Sequence, residues 1–194
     1  MKLGILVSSN TWEKSFQKAC EEIKVDYEMI DINSPYWMDN IKAVDSSIDG
    51  YIATPPCSFQ EYKTIYDEKL FFIDQFFKKP IYPNFKSCYI YESKRNMASF
   101  LDFYNIPHAK TVVFSKKEQA KEYLKNATYP LVIKTNIGAG GKAVDIVSSY
   151  HKAKKILDIS NIFLSCSLNS QYNLLKLHIL VDLVYLTLDY AFQQ

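Results

Sequence analysis

The glycines of this chain are concentrated in one place. Only five occur in 194 residues, and three of them, Gly138, Gly140 and Gly141, fall within YPLVIKTNIGAGGKAVDIV, residues 129–147. They separate two apolar, largely β-branched runs, which predicts a strand, a loop and a second strand. Successive backbone N–H groups of such a loop can form a concave anion site, and glycine permits the close approach.

Two other kinds of glycine loop hold phosphate, and both fit this sequence poorly. A Walker A loop needs a glycine where Asn136 stands and a hydroxyl where Ala143 stands. GAGGKA does satisfy the dinucleotide pattern G-x-G-x-x-G/A, but that pattern requires a helix to follow, and VDIVSS favours a strand. We therefore interpret the loop as a hairpin that closes over phosphates. A plain wide turn, with Lys134 as an edge lysine reaching solvent, is the alternative.

Two lysines support the phosphate interpretation. Lys134 interrupts the apolar run LVIKT, where a buried ammonium is costly unless an anion meets it. Lys94 follows Ser93, a predicted N-cap, and so lies in the first turn of a helix. A cation there interacts unfavourably with the helix dipole, at a cost of roughly 0.3–1 kcal/mol. An anion at that helix end would reverse the sign of the interaction. Together with the loop, the two lysines predict a bound polyphosphate.

The rest of the chain predicts an α/β protein. Up to about residue 88, apolar runs alternate with helix-spaced segments, which is typical of βαβ units and an open parallel sheet. We expect the aromatic run FFIDQFF (residues 71–77) to be helix core. After residue 88 the pattern indicates an α+β unit, including a helix whose apolar positions are Ala120 and Leu124.

Composition narrows the functional classes. Hydrophobic residues make up 48% and charged residues 23% of the chain, as in ordinary globular proteins. A net charge of +2 does not favour nucleic acid or an anionic membrane as partner. No signal peptide or membrane span of about 20 apolar residues is recognised, so we expect a cytoplasmic protein. The oligomeric state is not readable from the sequence.

The cysteines and histidines offer no strong candidate site. The four cysteines lie far apart with no C-x-x-C pair, which predicts free thiols in a reducing compartment. Cys57 follows a predicted strand end and is interpreted as a buried thiol. We expect His108, His151 and His178 to be surface or capping residues.

The order of these parts resembles the ATP-grasp superfamily, specifically its carboxylate–amine, or carbamoyl-phosphate-synthase-like, ligases. ESKRNMASFLDFYNIPHAKTVVF is similar to the family's lysine-bearing helix, Ile-Pro stop and strand, and YPLVIKTNIGAGG to its Pro-h-h-h-Lys strand and glycine hairpin. The resemblance covers roughly residues 1–160. It implies a pre-ATP-grasp domain over 1–88 and a nucleotide-binding lobe over 89–160. Residues 161–194 would be a partial second lobe or a divergent tail.

The resemblance also implies chemistry. Lys94 and Lys134 would contact the ATP phosphates or the adenine edge, and Gly138, Gly140 and Gly141 would cover the β- and γ-phosphates. With ATP and Mg²⁺ as cofactors, such enzymes transfer the γ-phosphoryl group to a small carboxylate, and an amine then attacks the acyl-phosphate.

The sequence departs from that family at several positions. Ser93-Lys94 replaces the usual Asp-Lys, and Ser165, Cys166 and Ser167 stand where the adenine-binding hinge usually carries Glu or Gln. No metal constellation is recognised, and catalytic residues are not assigned. We therefore expect the chain to be weakly active or inactive alone, as an incomplete ligase. The alternatives are a non-catalytic nucleotide-binding or interaction module, and a truncated product without independent function.

Overall fold

A computed structural model describes residues 1–8, 12–138, 144–159 and 164–168. The chain divides into two compact units, Met1–Tyr91 and Glu92–Gln194. The assignment of the ranges 1–88, 89–160 and 161–194 to the domains of the ligase family stays a prediction, and most of the third range lies outside the described residues.

The first unit is a parallel sheet with helices between its strands. In chain order its elements are β1 (Lys2–Val7), α1 (Trp12–Ile23), β2 (Asp26–Asp31), α2 (Trp37–Asp45), β3 (Gly50–Ile52), α3 (Gln60–Phe72), a π-helical turn (Ile73–Phe77), β4 (Ile81–Tyr82) and α4 (Phe85–Ile90). The strand order is β2-β1-β3-β4, and every neighbouring pair is parallel. The predicted open parallel α/β layer is confirmed.

Both faces of this sheet are covered, because alternate residues of a strand point to opposite sides. On β1, Ile5 packs with Cys20 of α1, whereas Leu6 belongs to the larger cluster formed with α2 and α3. The α4 helix was not predicted. It begins after Asn84, whose side-chain carbonyl accepts a hydrogen bond from the backbone N–H of Ser87 at 2.9 Å.

The prediction that FFIDQFF is helix core is wrong for three of its four phenylalanines. The buried face of α3 carries Tyr66 and Leu70 and continues into Ile73 of the π-helical turn. Phe71, Phe72 and Phe76 lie off this face and are 46%, 44% and 65% exposed. Helical spacing shows which residues share a face of the helix. Which of those faces is buried depends on the side that packs against the sheet.

The second unit is built around antiparallel strand pairs. Its elements are α5 (Lys94–Phe103), β5 (Thr111–Val113), α6 (Lys117–Asn126), β6 (Leu131–Thr135), β7 (Val144–Val147), α7 (Tyr150–Ile159) and β8 (Leu164–Leu168). The strand order is β5-β8-β6-β7, which places β6 inside the sheet. Ala120 and Leu124 of α6 are buried against Leu131 and Ile133 of β6, as predicted.

The glycine loop connects two antiparallel neighbours. Leu131 of β6 is paired with Val147 of β7, and Lys134 with Val144. A strand, and no helix, therefore follows the loop, so the strand–loop–strand prediction is confirmed and the dinucleotide pattern is excluded. Closure of the loop over phosphates stays a prediction. No helix in the described ranges is long and apolar enough to cross a membrane.

Candidate functional site

Lys134 occupies an unfavourable place for an ammonium group. Leu131 and Ile133 face the core formed with α6 and α7, so Val132 and Lys134 lie on the opposite face of the sheet. The Lys134 side chain is partly buried. Burial lowers its pKa below the usual lysine value, and the positive charge of Lys94 lowers it further. The two lysines are 40 positions apart in sequence, but the backbone N–H of Lys94 bonds the carbonyl of Asn136, two residues after Lys134, so both lie in the same part of the unit.

The start of α5 is held by Asn136, which follows β6. The backbone N–H of Lys94 donates to the Asn136 carbonyl at 3.1 Å, and that of Arg95 donates to Asn136 Oδ1 at 3.0 Å. The backbone N–H of Asn96 donates to Ser93 Oγ at 3.3 Å, which confirms Ser93 as the N-cap. Protein acceptors thus occupy these first-turn N–H groups.

Ser93 and Asn136 also contact each other directly. Ser93 Oγ donates to Asn136 Oδ1 at 3.2 Å, and both side chains are buried. One amide oxygen therefore joins the N-terminus of α5 to the end of β6, the two places that carry the predicted lysines. The sequence pattern gave Asn136 no role except as the residue that breaks a Walker A loop. A buried polar residue directly after a strand of apolar residues is the signal that would have identified it.

The ammonium group of Lys94 is fully coordinated by protein oxygens. Its Nζ donates to Glu92 Oε2 at 2.9 Å, to the Glu92 carbonyl at 3.2 Å, and to the carbonyl of Gly138. Gly138 has a φ of 152°, in a region that side chains disfavour and glycine adopts readily. Lys94, Lys134 and Gly138 thus come together as expected, whereas Gly140 and Gly141 lie outside the described residues.

This arrangement is suited to an anion with more than one charge. The two ammonium groups share a partly buried region, where the charge of Lys94 adds to the cost of burying the charge of Lys134. A phosphate group placed between them would offset both the repulsion and the loss of hydration. Within the described ranges, no group of three or more His, Cys, Asp or Glu residues has the geometry to hold a metal ion. We therefore assign no metal ligand.

The comparisons with known proteins point to the same part of the chain. Residues 92–166 match the family model described as "Phosphoribosylglycinamide synthetase, ATP-grasp (A) domain". This segment belongs to the ATP-grasp superfamily. A phosphoribosylamine–glycine ligase of Clostridium acetobutylicum is 40% identical over 65 residues, which are 34% of this chain and 16% of the ligase.

Solved ATP-grasp structures extend the likeness to the fold of most of the chain. Carboxyaminoimidazole ribonucleotide synthase from Aspergillus clavatus, complexed with ATP, has a TM-score of 0.62 at 17% identity. The alignment covers 89% of this chain and 48% of that one. D-alanine–D-alanine ligase from Bacillus anthracis has a TM-score of 0.60 at 19% identity, over 88% of this chain and 58% of that one. The chain thus spans about half the length of these ligases, and identities this low show the fold alone.

The remaining candidates from the sequence lie elsewhere. His108 was expected at the surface or at a cap, but its side chain is only 15% exposed, and its Nε2 lies 3.3 Å from Asp102 Oδ1. His151 is exposed as expected, whereas His178 is outside the described residues. The Cys57 thiol is free but only partly buried, so its interpretation as a buried thiol is wrong. Cys20 and Cys88 are free and buried.

A second polar cluster lies in the first unit, at the carboxyl ends of β1 and β3. Glu13 Oε1 accepts hydrogen bonds from the Ser8 backbone N–H at 2.6 Å, from Ser8 Oγ at 3.2 Å and from Thr54 Oγ1 at 3.3 Å. All three side chains are buried. This network fixes the strand ends at the edge where parallel α/β sheets commonly bind ligands. The sequence pattern drew attention to this edge only through Cys57.

Proposed function

We propose that the second unit binds the phosphates of ATP between Lys94, Lys134 and the glycine hairpin. The observation that carries this proposal is a contact between separate elements: the N–H of Lys94 donates to the carbonyl of Asn136, two residues after Lys134, and the Lys94 ammonium donates to the carbonyl of Gly138. Both lysine side chains are partly buried. Glu92 already offsets the charge of Lys94, and a bound anion would in addition offset the charge of Lys134, which burial makes costly. The ATP complex of the Aspergillus clavatus synthase, which shares this fold, supports the choice of ATP.

We further propose that Gly138, Gly140 and Gly141 form the loop over the β- and γ-phosphates. For Gly138 the support is conformational, because its φ of 152° tolerates no side chain without strain. The roles of Gly140 and Gly141 rest on the family resemblance.

The reaction we propose is ATP-dependent joining of a carboxylate to an amine. A carboxylate oxygen attacks the γ-phosphorus of ATP, forming an acyl-phosphate and releasing ADP. The amine nitrogen then attacks the acyl carbon, the C–O bond to phosphate breaks, and inorganic phosphate leaves with the proton that the nitrogen loses. Lys94 and Lys134 would neutralise charge on the transferring phosphoryl group. The similarity to a phosphoribosylamine–glycine ligase supports this reaction class. Mg²⁺ would accompany the nucleotide, and we assign it no ligand and no step.

ATP binding is tested by thermal denaturation of the wild type and of Lys134→Met. ATP at about a hundred times its Kd should stabilise the wild type by roughly 2.7 kcal/mol, and the variant should lose most of this gain. Lys121→Met removes the same charge from an exposed position on α6 and should respond as the wild type does. Equal stabilisation of wild type and Lys134→Met would contradict the proposed site.

Turnover is measured separately from binding. The assay follows ADP release with Mg²⁺ and ATP, with glycine present or absent, and with phosphoribosylamine added in a second series. These compounds come from the name of the similar ligase. ADP release that requires both compounds would support the ligase reaction. ATP binding without release in any mixture would contradict it for this pair of substrates and leave the nucleotide site in place.

A further inference from the structure

Glu92 contributes the charged acceptor of the Lys94 ammonium group. Glu92 Oε2 and Lys94 Nζ are 2.9 Å apart, and the two side chains are 22% and 24% exposed. The Glu92 carbonyl accepts from the same Nζ at 3.2 Å. The Glu92 backbone, with a φ of 57°, is in the left-handed region that non-glycine residues seldom adopt. A single residue therefore holds Lys94 with both its backbone and its side chain.

The number of acceptors around Lys94 matters for any incoming anion. An ammonium group has three N–H donors, and Lys94 Nζ has three oxygen partners, the third being the carbonyl of Gly138. A phosphate oxygen that binds Lys94 must therefore displace one of them or share its proton. The carboxylate of Glu92 carries a full negative charge, so it also repels a phosphate that approaches the same ammonium.

We propose that Glu92 is an internal counter-ion of the anion site, which competes with the phosphates of the nucleotide for Lys94. The inference rests on the proposed ATP site and adds a residue that sets its affinity. The carboxylate stabilises the lysine pair in the protein itself and weakens the binding of nucleotide. If Glu92 and Lys94 formed only a structural ion pair, removal of the Glu92 charge would weaken both the folding of the protein and the binding of ATP.

The test compares ATP binding by the wild type and by Glu92→Gln, using isothermal titration calorimetry in EDTA at low ionic strength. Gln keeps the shape and a neutral acceptor while it removes the charge. We expect the Kd for ATP to fall by about threefold to tenfold, the range for one like charge removed near a partly exposed site. In melting experiments without nucleotide, the same variant should be less stable than the wild type.

Two controls separate the local charge from other effects. Glu122→Gln removes the same charge from an exposed ion pair with Lys125 in the same unit, with a 2.9 Å separation, and should leave the Kd unchanged. Glu92→Asp keeps the charge but is one methylene shorter, so its carboxylate reaches Lys94 Nζ less well, and its Kd should lie between those of the wild type and Glu92→Gln. It also provides a second comparison if Glu92→Gln folds poorly, because a Kd for Glu92→Asp equal to or above that of the wild type would overturn the proposal.

The outcomes distinguish this inference from the proposed function. Tighter binding together with lower stability in Glu92→Gln supports the counter-ion. Binding by the wild type with equal or weaker binding by Glu92→Gln overturns the counter-ion and leaves the ATP site intact. Absence of ATP binding in the wild type and in all variants overturns both.

Discussion

Replacing Asn136 by Ala tests the junction that brings the two lysines together. The substitution removes Oδ1, which accepts from the backbone N–H of Arg95 at 3.0 Å and from Ser93 Oγ at 3.2 Å. The backbone carbonyl of residue 136 remains available to the N–H of Lys94. The loss therefore includes these two hydrogen bonds, in a place where Ser93 and Asn136 are both buried.

The expected cost is worked from the two bonds to Oδ1. A buried donor left without its acceptor costs roughly 1–3 kcal/mol, and the Ser93 hydroxyl can rotate in search of another acceptor. We therefore expect Asn136→Ala to lose about 2–4 kcal/mol of unfolding free energy from the second unit. The ATP affinity should fall as well, because Lys94 is the first residue of the helix that the amide oxygen anchors.

Hydrogen exchange measured by mass spectrometry is the appropriate assay. Trp12 and Trp37 both lie in the first unit, so tryptophan fluorescence does not report on α5. Peptides that contain the start of α5 should exchange faster in Asn136→Ala than in the wild type, and peptides from β1 and β2 should not change.

The matched variant is Asn136→Asp. It retains oxygen acceptors for Arg95 and Ser93, and its charge lies near the start of a helix, where anions are favourable. It should lose less protection than Asn136→Ala. Unchanged exchange in the Ala variant, or equal losses in both, would refute the role assigned to the amide oxygen.

Two further predictions concern burial and backbone conformation. Lys63 is 1% exposed and its Nζ lies 2.5 Å from Asp67 Oδ1, so Lys63→Met should destabilise the first unit by about 3–5 kcal/mol in urea denaturation, because it leaves Asp67 without a charged partner. The double variant Lys63→Met/Asp67→Leu should recover most of that loss, and a double variant as unstable as the single one would contradict this account. Gly138→Ala should cost about 1–3 kcal/mol, because its φ of 152° disfavours a side chain. Thermal denaturation checks this, and an unchanged melting temperature would argue against the strain.

The overall class of fold and the glycine hairpin were predictable because both depend on local patterns. Alternating apolar runs and helix-spaced segments specify a parallel α/β layer, and the β-branched residues after the glycines favour a strand over a helix. The N-cap at Ser93 was predictable for the same reason, since its side chain bonds a backbone N–H three residues later. The exposure of FFIDQFF was not predictable from spacing, because the face that is buried depends on where the sheet lies.

The surroundings of the two lysines required the folded chain. Asn136 meets Arg95 across 41 positions and Lys94 meets Gly138 across 44, and no sequence period specifies contacts at such separations. The sequence correctly predicted that Lys94 starts a helix and that Lys134 lies in a strand. An N-cap residue and a polar residue within an apolar run can both be recognised from local sequence alone. Which oxygen atoms hold Lys94, and how near the two charges lie, depends on how the segment after β6, through Asn136 and Gly138, contacts the start of α5. The lysines were therefore visible in the sequence, while Asn136 and Glu92 acquired their roles only when the chain folded.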